Sequence, residues 1–244
     1  MKIFNQKGFT LVEILVVAPI FILVAMGMLG YLIERYGQTL IKSAEVNLMV
    51  DAQTITLNLE DELAFATNFG DTLGANLSDP NEPNGGWTFN TTPNTLIIYE
   101  QSRTGDIRDP NSDVIFAQPC DGTSIALNNL IYFSEDNNNN DYKSLYKRTV
   151  VPDSADICAT NFRQLTCPSE TVGTNGCNQA DALVTDKLID FQVTYYDEDN
   201  AVIDMGNGGN PLDAEKVAIA ITLGDIAYGE EVQASSSLTV KKFN

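Results

Sequence analysis

Residues 5–24 read NQKGFTLVEILVVAPIFILV and place a single acid, Glu13, at the edge of a long apolar run. From Ile14 to Ile33, twenty consecutive residues carry no charge. A helix of that length is about 30 Å long, which is the hydrocarbon thickness of a bilayer. A carboxylate beside such a run is costly in lipid, so it needs a compensating partner. The sequence therefore predicts a membrane-spanning helix whose one acid has a specific role.

The charges in front of the run predict its orientation. Lys2 and Lys7 precede it, and positive residues hold a short leading end on the cytoplasmic side. The rest of the chain then lies outside the cytoplasm. Two simple alternatives are a removable secretory signal, cut after Ala25-Met26-Gly27, and a plain membrane anchor.

The helical pattern continues past the apolar run, which a removable signal does not need. Apolar residues recur every three or four positions as one stripe, and no proline occurs between Pro19 and Pro80. We predict one helix of fifty-five residues or more, about 80 Å long. Its transmembrane half is 9–33 and its amphipathic half is 34–69. The stripe consists of Leu32, Tyr36, Leu40, Ala44, Leu48, Ala52, Ile55, Leu59, Leu63 and Ala66.

The segment KGFTLVEILVV, residues 7–17, resembles the processing site of type IV pilins and type II secretion pseudopilins. The resemblance implies a leader peptide, 1–8, that a prepilin peptidase removes by cutting after Gly8. It also implies N-methylation of the new terminal residue, Phe9, and an assembly role for Glu13. The chain departs from many pilins in having Gly30 where they carry a helix-bending proline, and in its early Pro19.

Glu13 gains a partner in this interpretation. Cleavage leaves a free amine on Phe9, one helical turn from the carboxylate, and the amine of a neighbouring subunit is an equally suitable partner. An ion pair in apolar surroundings costs about 3–5 kcal/mol when one member is missing. Glu13 is therefore predicted to set the stagger between subunits in a filament.

Composition excludes several function classes. The 244 residues carry a net charge of -19, contain only 14 Lys and Arg, and lack histidine. Ser-His-Asp and Cys-His catalysis and histidine-containing zinc sites are excluded, and we expect no enzyme activity and no cofactor. Nucleic acid is not an expected partner, because 33 Asp and Glu outnumber the 14 Lys and Arg that could neutralise phosphates. The one dense basic cluster is Lys143, Lys147 and Arg148.

The four cysteines, Cys120, Cys158, Cys167 and Cys177, form no C-x-x-C pair. An even number in an exported region favours two disulfides and an oxidising compartment. Three connectivities are possible. We favour Cys120–Cys158 and Cys167–Cys177, because the second pair closes the polar loop CPSETVGTNGC.

Residues 70–244 are predicted to form an antiparallel β-rich head domain with a cysteine-bearing loop at 158–177. Alternation is clearest at Ile189, Phe191, Val193 and Tyr195, and at Val217, Ile219, Ile221 and Leu223. Packing this sheet on the amphipathic half of the helix predicts an α+β fold. Further strands are predicted at TLIIYE, DVIFAQ, NLIYFSE, SLYKRTVV and SSSLTVKKF. The run LYKR, the hairpin FQVTYYDEDNAV and the closing strands loosely resemble larger minor pilins, particularly J-type pseudopilins.

Two weaker site hypotheses remain. Asp136, Asn138, Asn140 and Asp141 alternate as calcium ligands do, but the tract lacks the glycine and the bidentate glutamate of a helix–loop–helix site. A solvated hairpin turn is the favoured explanation of the tract, and calcium binding is the alternative. Trp87 and the Tyr195–Tyr196 pair are candidates for a binding surface or for core packing.

The sequence thus predicts a structural subunit, a minor pilin or pseudopilin in a tip or priming position. Alternatives on the same anchor are a tip adhesin and a major pilin. The implied partners are other pilin subunits, the prepilin peptidase, an inner-membrane assembly platform with its ATPase, and membrane lipid before assembly. The implied location is the inner membrane with one span and an external head, and then a pilus or pseudopilus at the periplasm or cell surface.

Overall fold

A computed structural model describes residues 11–89, 95–105, 109, 111–137, 141–159, 162–174 and 176–242. It contains one long helix, nine strands and three short 3-10 helices within these residues. The elements are α1 (Leu11–Leu63), β1 (Ala66–Gly70), β2 (Leu96–Gln101), β3 (Leu127–Asp136), β4 (Lys143–Val150), β5 (Thr166–Cys167), β6 (Gln179–Ala180), β7 (Ala182–Tyr196), β8 (Lys216–Ala227) and β9 (Glu230–Lys241), with 3-10 turns at Ser169–Thr171, Met205–Asn207 and Pro211–Asp213.

The predicted α+β architecture is confirmed: α1 packs on a seven-stranded sheet in the order β1-β2-β3-β4-β7-β8-β9. All neighbouring strands of this sheet are antiparallel, while β5 and β6 form a small parallel pair. The main core lies between the helix and the sheet. Its helix side consists of Leu48, Ala52, Ile55, Leu59 and Leu63.

The stripe on α1 meets the sheet later than the sequence suggests. Gly37 is the first buried residue of the helix, and Ile41 and Ala44 are the first apolar side chains packed on the core. Leu32 and Tyr36 are exposed, and Leu40 is 39% exposed. The head therefore begins at Gly37, and the helix before it projects from the domain.

Strand β7 connects two parts of the sheet through a bulge. Its first half pairs with β4 and its second half with β8, and the register shifts between Leu188 and Asp190. The bulge moves Leu188, not Ile189, to the core side, so the predicted alternation is wrong at that one position. Strand β8 keeps strict alternation, with Val217, Ile219, Ile221 and Leu223 all buried as predicted.

Two other boundaries differ from the prediction. The helix ends at Leu63, and Ala66 begins strand β1 instead of continuing the stripe to residue 69. β-Branched and aromatic residues there suit a strand, and the Thr67 hydroxyl donates to the Tyr99 carbonyl oxygen on β2 at 2.8 Å. The predicted strand DVIFAQ forms only isolated β-bridges to neighbouring loop segments. Pro119, which follows it, has no backbone N–H group and cannot extend the pairing.

Candidate assembly surface on the N-terminal helix

The projecting part of α1 is apolar on every side from residue 14 to residue 33. From Leu11 to Tyr36, the large apolar side chains range from 52% exposed at Ile22 to 78% at Leu11. Soluble monomers rarely expose contiguous apolar surface beyond a few hundred Å², so this helix needs a bilayer or other helices around it. The helix is long and apolar enough to cross a membrane, a test that a signal sequence also passes.

Glu13 lies in the first described turn of α1. The predicted cleavage and methylation residues, Gly8 and Phe9, lie outside the described residues. Glu13 is followed on the helix by the uncharged residues 14–33, and the next acid is Glu34.

The head meets the helix through a hairpin turn. Strands β8 and β9 are joined by Tyr228 and Gly229, and the Tyr228 ring lies on Gly37. A Cβ atom added to Gly37 would stand 2.7 Å from the Tyr228 Cε1 atom. Only glycine therefore allows this close approach, which fixes the level at which the projecting helix leaves the domain.

The cysteines pair as favoured from the sequence. Cys120 is bonded to Cys158 and Cys167 to Cys177, with sequence separations of 38 and 10 residues. The first pair holds the bridge-only segment around Pro119 against the segment after β4, and the second closes the loop that precedes β6. Both disulfides lie in the head, which agrees with an oxidising compartment for that domain.

The basic cluster on β4 is neutralised residue by residue. Lys143 lies 3.4 Å from Asp136, and Lys147 lies 2.7 Å from Glu62 on the helix. Arg148 is only 2% exposed. Each cation of this cluster therefore has a carboxylate partner within the head.

Arg148 is the centre of a buried network that sequence reasoning missed. Its guanidinium donates to Asp79 at 2.9 Å and to Asp181 at 2.6 Å, and both carboxylates are nearly inaccessible. It also stacks on Trp87, with 5.0 Å between the guanidinium carbon and the ring centroid. The loop after β1, strand β4 and the start of β7 are thereby joined, and Trp87 belongs to this interior instead of a binding surface.

A second polar cluster links the end of the helix to the sheet. Glu62 accepts hydrogen bonds from the Tyr132 hydroxyl at 2.6 Å and from Lys147 at 2.7 Å. Burial raises the pKa of Tyr132 well above its usual value, and the Glu62 charge adds to the effect. Burial also raises the pKa of Glu100, although the ion pair with Arg163 opposes this. Glu62 thereby fastens the end of the helix to β3 and β4.

The calcium hypothesis gains no support. Asp136 is the last residue of β3 and pairs with Lys143, while Asn138 and Asn140 lie outside the described residues. Asp141 lies two residues before the start of β4. Among the described residues, no group of three or more acidic, cysteine or histidine side chains is placed to hold a metal ion. Tyr195 is buried in the core.

No protein-family model matches the chain, and no curated protein or solved structure is significantly similar to it.

Proposed function

We propose that this protein is a structural subunit of a type IV pilus or type II secretion pseudopilus, in a minor, tip or priming position. The observation that carries the proposal is a helix that is apolar on all sides over 14–33 and is continuous with a sheet-packed half. The prepilin-like motif in front of it supplies a cut after Gly8 and a methylated Phe9. A precursor in the inner membrane, with its head outside the cytoplasm, precedes assembly.

The driving force for assembly has to be specific packing. Lipid chains are as apolar as neighbouring helices, so transfer of residues 14–33 from bilayer to filament gains no classical hydrophobic energy. Side-chain packing and the environment of Glu13 therefore decide whether the helix is more stable in the filament or in the bilayer. A carboxylate near the apolar run costs about 2.5–3.5 kcal/mol at the centre of a bilayer and less near its edge. Pairing Glu13 with a terminal amine removes that cost only in the correct stagger.

The stagger hypothesis has a direct test. Glu13→Ala should be excluded from filaments that contain wild-type subunits, because a subunit amine is left buried without its acid. A penalty of about 3–5 kcal/mol corresponds to incorporation reduced at least about 100-fold. Glu34→Ala is the matched control: this acid lies on the same helix, beyond the apolar run, and should incorporate normally.

Sheared-fibre fractions and membrane fractions are compared for both variants. Both should reach the membrane in equal amounts. If Glu13→Ala enters sheared fibres as well as Glu34→Ala does, the proposed role of Glu13 is wrong. If the wild-type chain stays with the membrane and never enters a sheared fraction, the assembly function is wrong.

The alternative functions are a tip adhesin and a major pilin. An adhesin needs a binding surface on the head, and a major pilin is present in many copies per filament. The described residues offer no unneutralised basic cluster on β4 and no exposed Trp87, so neither feature supports an adhesive or DNA-binding head. A major pilin would dominate the sheared fraction, whereas a minor subunit would be present in few copies per filament. Quantitative mass spectrometry of sheared fibres separates these cases.

A further inference from the structure

The position of the β8–β9 turn follows from its contact with the helix. If Ile14–Ile33 crosses the hydrocarbon layer, Gly37 lies four residues, or about 6 Å, beyond its edge. The headgroup layer on each side of a bilayer is about 5–7 Å thick. Because Tyr228 lies directly on Gly37, the tip of the hairpin stands at the level of the headgroups.

The residues at this tip are unusual for a turn. Tyr228 and Gly229 have φ values of 54° and 80°, the positive values that a two-residue type I′ hairpin turn requires. Asn or Gly is the ordinary choice at the first of these positions, and a bulky aromatic residue there is disfavoured. The tyrosine is nevertheless 58% exposed, and the nearby Ile226 is 56% exposed. The contact between Tyr228 and Gly37 does not explain why Ile226 is exposed as well.

Tyrosine is enriched at membrane–water interfaces because its ring is apolar and its hydroxyl is polar. Tyr31 and Tyr36 on the projecting helix are also exposed, at 57% and 65%. Exposed tyrosines thus lie on the helix just before Gly37 and on the hairpin that contacts Gly37. This arrangement is continuous with the membrane-spanning surface and does not form a separate patch.

The charges around the tip specify the kind of lipid. Glu230 and Glu231 follow the turn and are exposed. Asp141 lies with Ile226 and Gly229 around one cleft next to the hairpin. On the helix, Arg35 lies two residues before Gly37, donates to the Tyr31 hydroxyl at 3.0 Å and has Glu34 beside it. Lys187 is paired with Asp225 at 2.5 Å and Lys143 with Asp136, so acids outnumber cations around the tip. Such a surface repels anionic headgroups and suits zwitterionic lipids whose ammonium groups face the water.

We propose that the β8–β9 hairpin docks the head on the bilayer surface, with Ile226 and Tyr228 inserted among zwitterionic headgroups. The head is then held against the membrane before assembly and must detach from lipid when the subunit is extracted. The inference rests on the membrane span included in the proposed function. It adds a second lipid contact, made by the head itself.

Fluorescence quenching in reconstituted vesicles tests the contact. Ile226→Trp and Tyr31→Trp are each prepared in the full chain and placed in phosphatidylethanolamine–phosphatidylcholine vesicles containing lipids brominated at shallow or deep acyl positions. The one native tryptophan, Trp87, is buried and gives the background measured on wild type. We expect the indole introduced by Ile226→Trp to be quenched by shallow bromines more than by deep ones, with a blue-shifted emission.

The possible results separate the two proposals. If the Tyr31→Trp variant is quenched and the Ile226→Trp variant shows only the Trp87 background, the docking inference is wrong and the span stands. If neither variant is quenched, the span itself is wrong and docking fails with it. In phosphatidylglycerol-rich vesicles the quenching of the Ile226→Trp variant should fall, and equal or stronger quenching there contradicts the preference for zwitterionic lipid.

A second variant separates docking from the fold of the turn. Tyr228→Asn places the preferred residue at the positive-φ position, so the hairpin should remain folded while its aromatic anchor is lost. Adding this change to Ile226→Trp should reduce the quenching of the introduced indole, with the far-UV circular dichroism unchanged. Quenching that persists undiminished in the double variant overturns the role given to Tyr228.

Discussion

Replacing Arg148 by methionine should destabilise the head more than replacing either lysine of β4 does. The arginine makes charge-assisted hydrogen bonds to Asp79 and Asp181, and its NH1 group also donates to the Asn81 carbonyl oxygen at 2.9 Å. Methionine fills much of the volume but supplies no charge. Two carboxylates would then remain buried without their cation.

The expected loss is large because the network is dry. Side-chain exposure is 2% for Arg148, 0% for Asp79 and 6% for Asp181. Removing one member of a buried ion pair costs about 3–5 kcal/mol, which is a large part of the 5–15 kcal/mol by which domains are usually stable. With a urea dependence of about 2–3 kcal/mol per molar, the midpoint should fall by about 1–2.5 M.

Equilibrium urea unfolding of the full chain in detergent micelles measures this loss. Circular dichroism follows the sheet, and Trp87 reports the network directly, because it is the only tryptophan and lies under the guanidinium. Lys143→Met is the matched control on the same strand. Its partner Asp136 is 83% exposed at a distance of 3.4 Å, so the loss should be at most about 1 kcal/mol.

A triple variant tests whether the loss of stability comes from the two carboxylates left buried without their cation. Combining Arg148→Met with Asp79→Asn and Asp181→Asn removes the buried charges together, and it should recover part of the lost stability. The reasoning is refuted if Arg148→Met lowers the midpoint no more than Lys143→Met does. It is equally refuted if the triple variant is less stable than the single one.

Three further changes have defined outcomes. Gly37→Ala should cost about 1–3 kcal/mol in urea unfolding, because a Cβ would meet the Tyr228 ring, and adding Tyr228→Asn should restore most of it. Glu100→Gln should gain stability relative to wild type as the pH rises above 4.5, since burial raises the pKa of Glu100 in the folded state and its ionisation then opposes folding; a pH-independent difference in melting temperature contradicts this. Replacing both Cys120 and Cys158 by alanine should cost about 4 kcal/mol, because it opens a loop closed over a sequence separation of 38 residues; a loss below about 1 kcal/mol would contradict the loop-closure argument.

Local periodicity explains why much of the fold could be predicted. The stripe from Leu48 to Leu63 repeats at helical spacing and does face the sheet, and the alternation in β8 matches its burial at every predicted position. These signals are contained in a few neighbouring residues. The pattern failed at Ile189, because a bulge shifts the strand by one residue and both Leu188 and Ile189 are apolar.

The Arg148 network could not be predicted in the same way. Its partners Asp79 and Asp181 are 69 and 33 residues away, so nothing near Arg148 in the sequence indicates them. Next to Lys147 the arginine resembles a surface cation. The Gly37–Tyr228 contact is similar: a Tyr-Gly pair between two alternating runs indicates a hairpin, but only the packed structure shows which helix residue the ring reaches.

The central hypothesis is that proteolysis creates an amine one turn from Glu13, so that apolar helices associate in a single stagger. Intact-mass and N-terminal peptide spectrometry of the native protein from membranes tests it most directly. The account predicts a chain that begins at Phe9 and carries one added methyl group on its amine. A mature chain that begins at Met1, or at Met28 after loss of the apolar run, would contradict it.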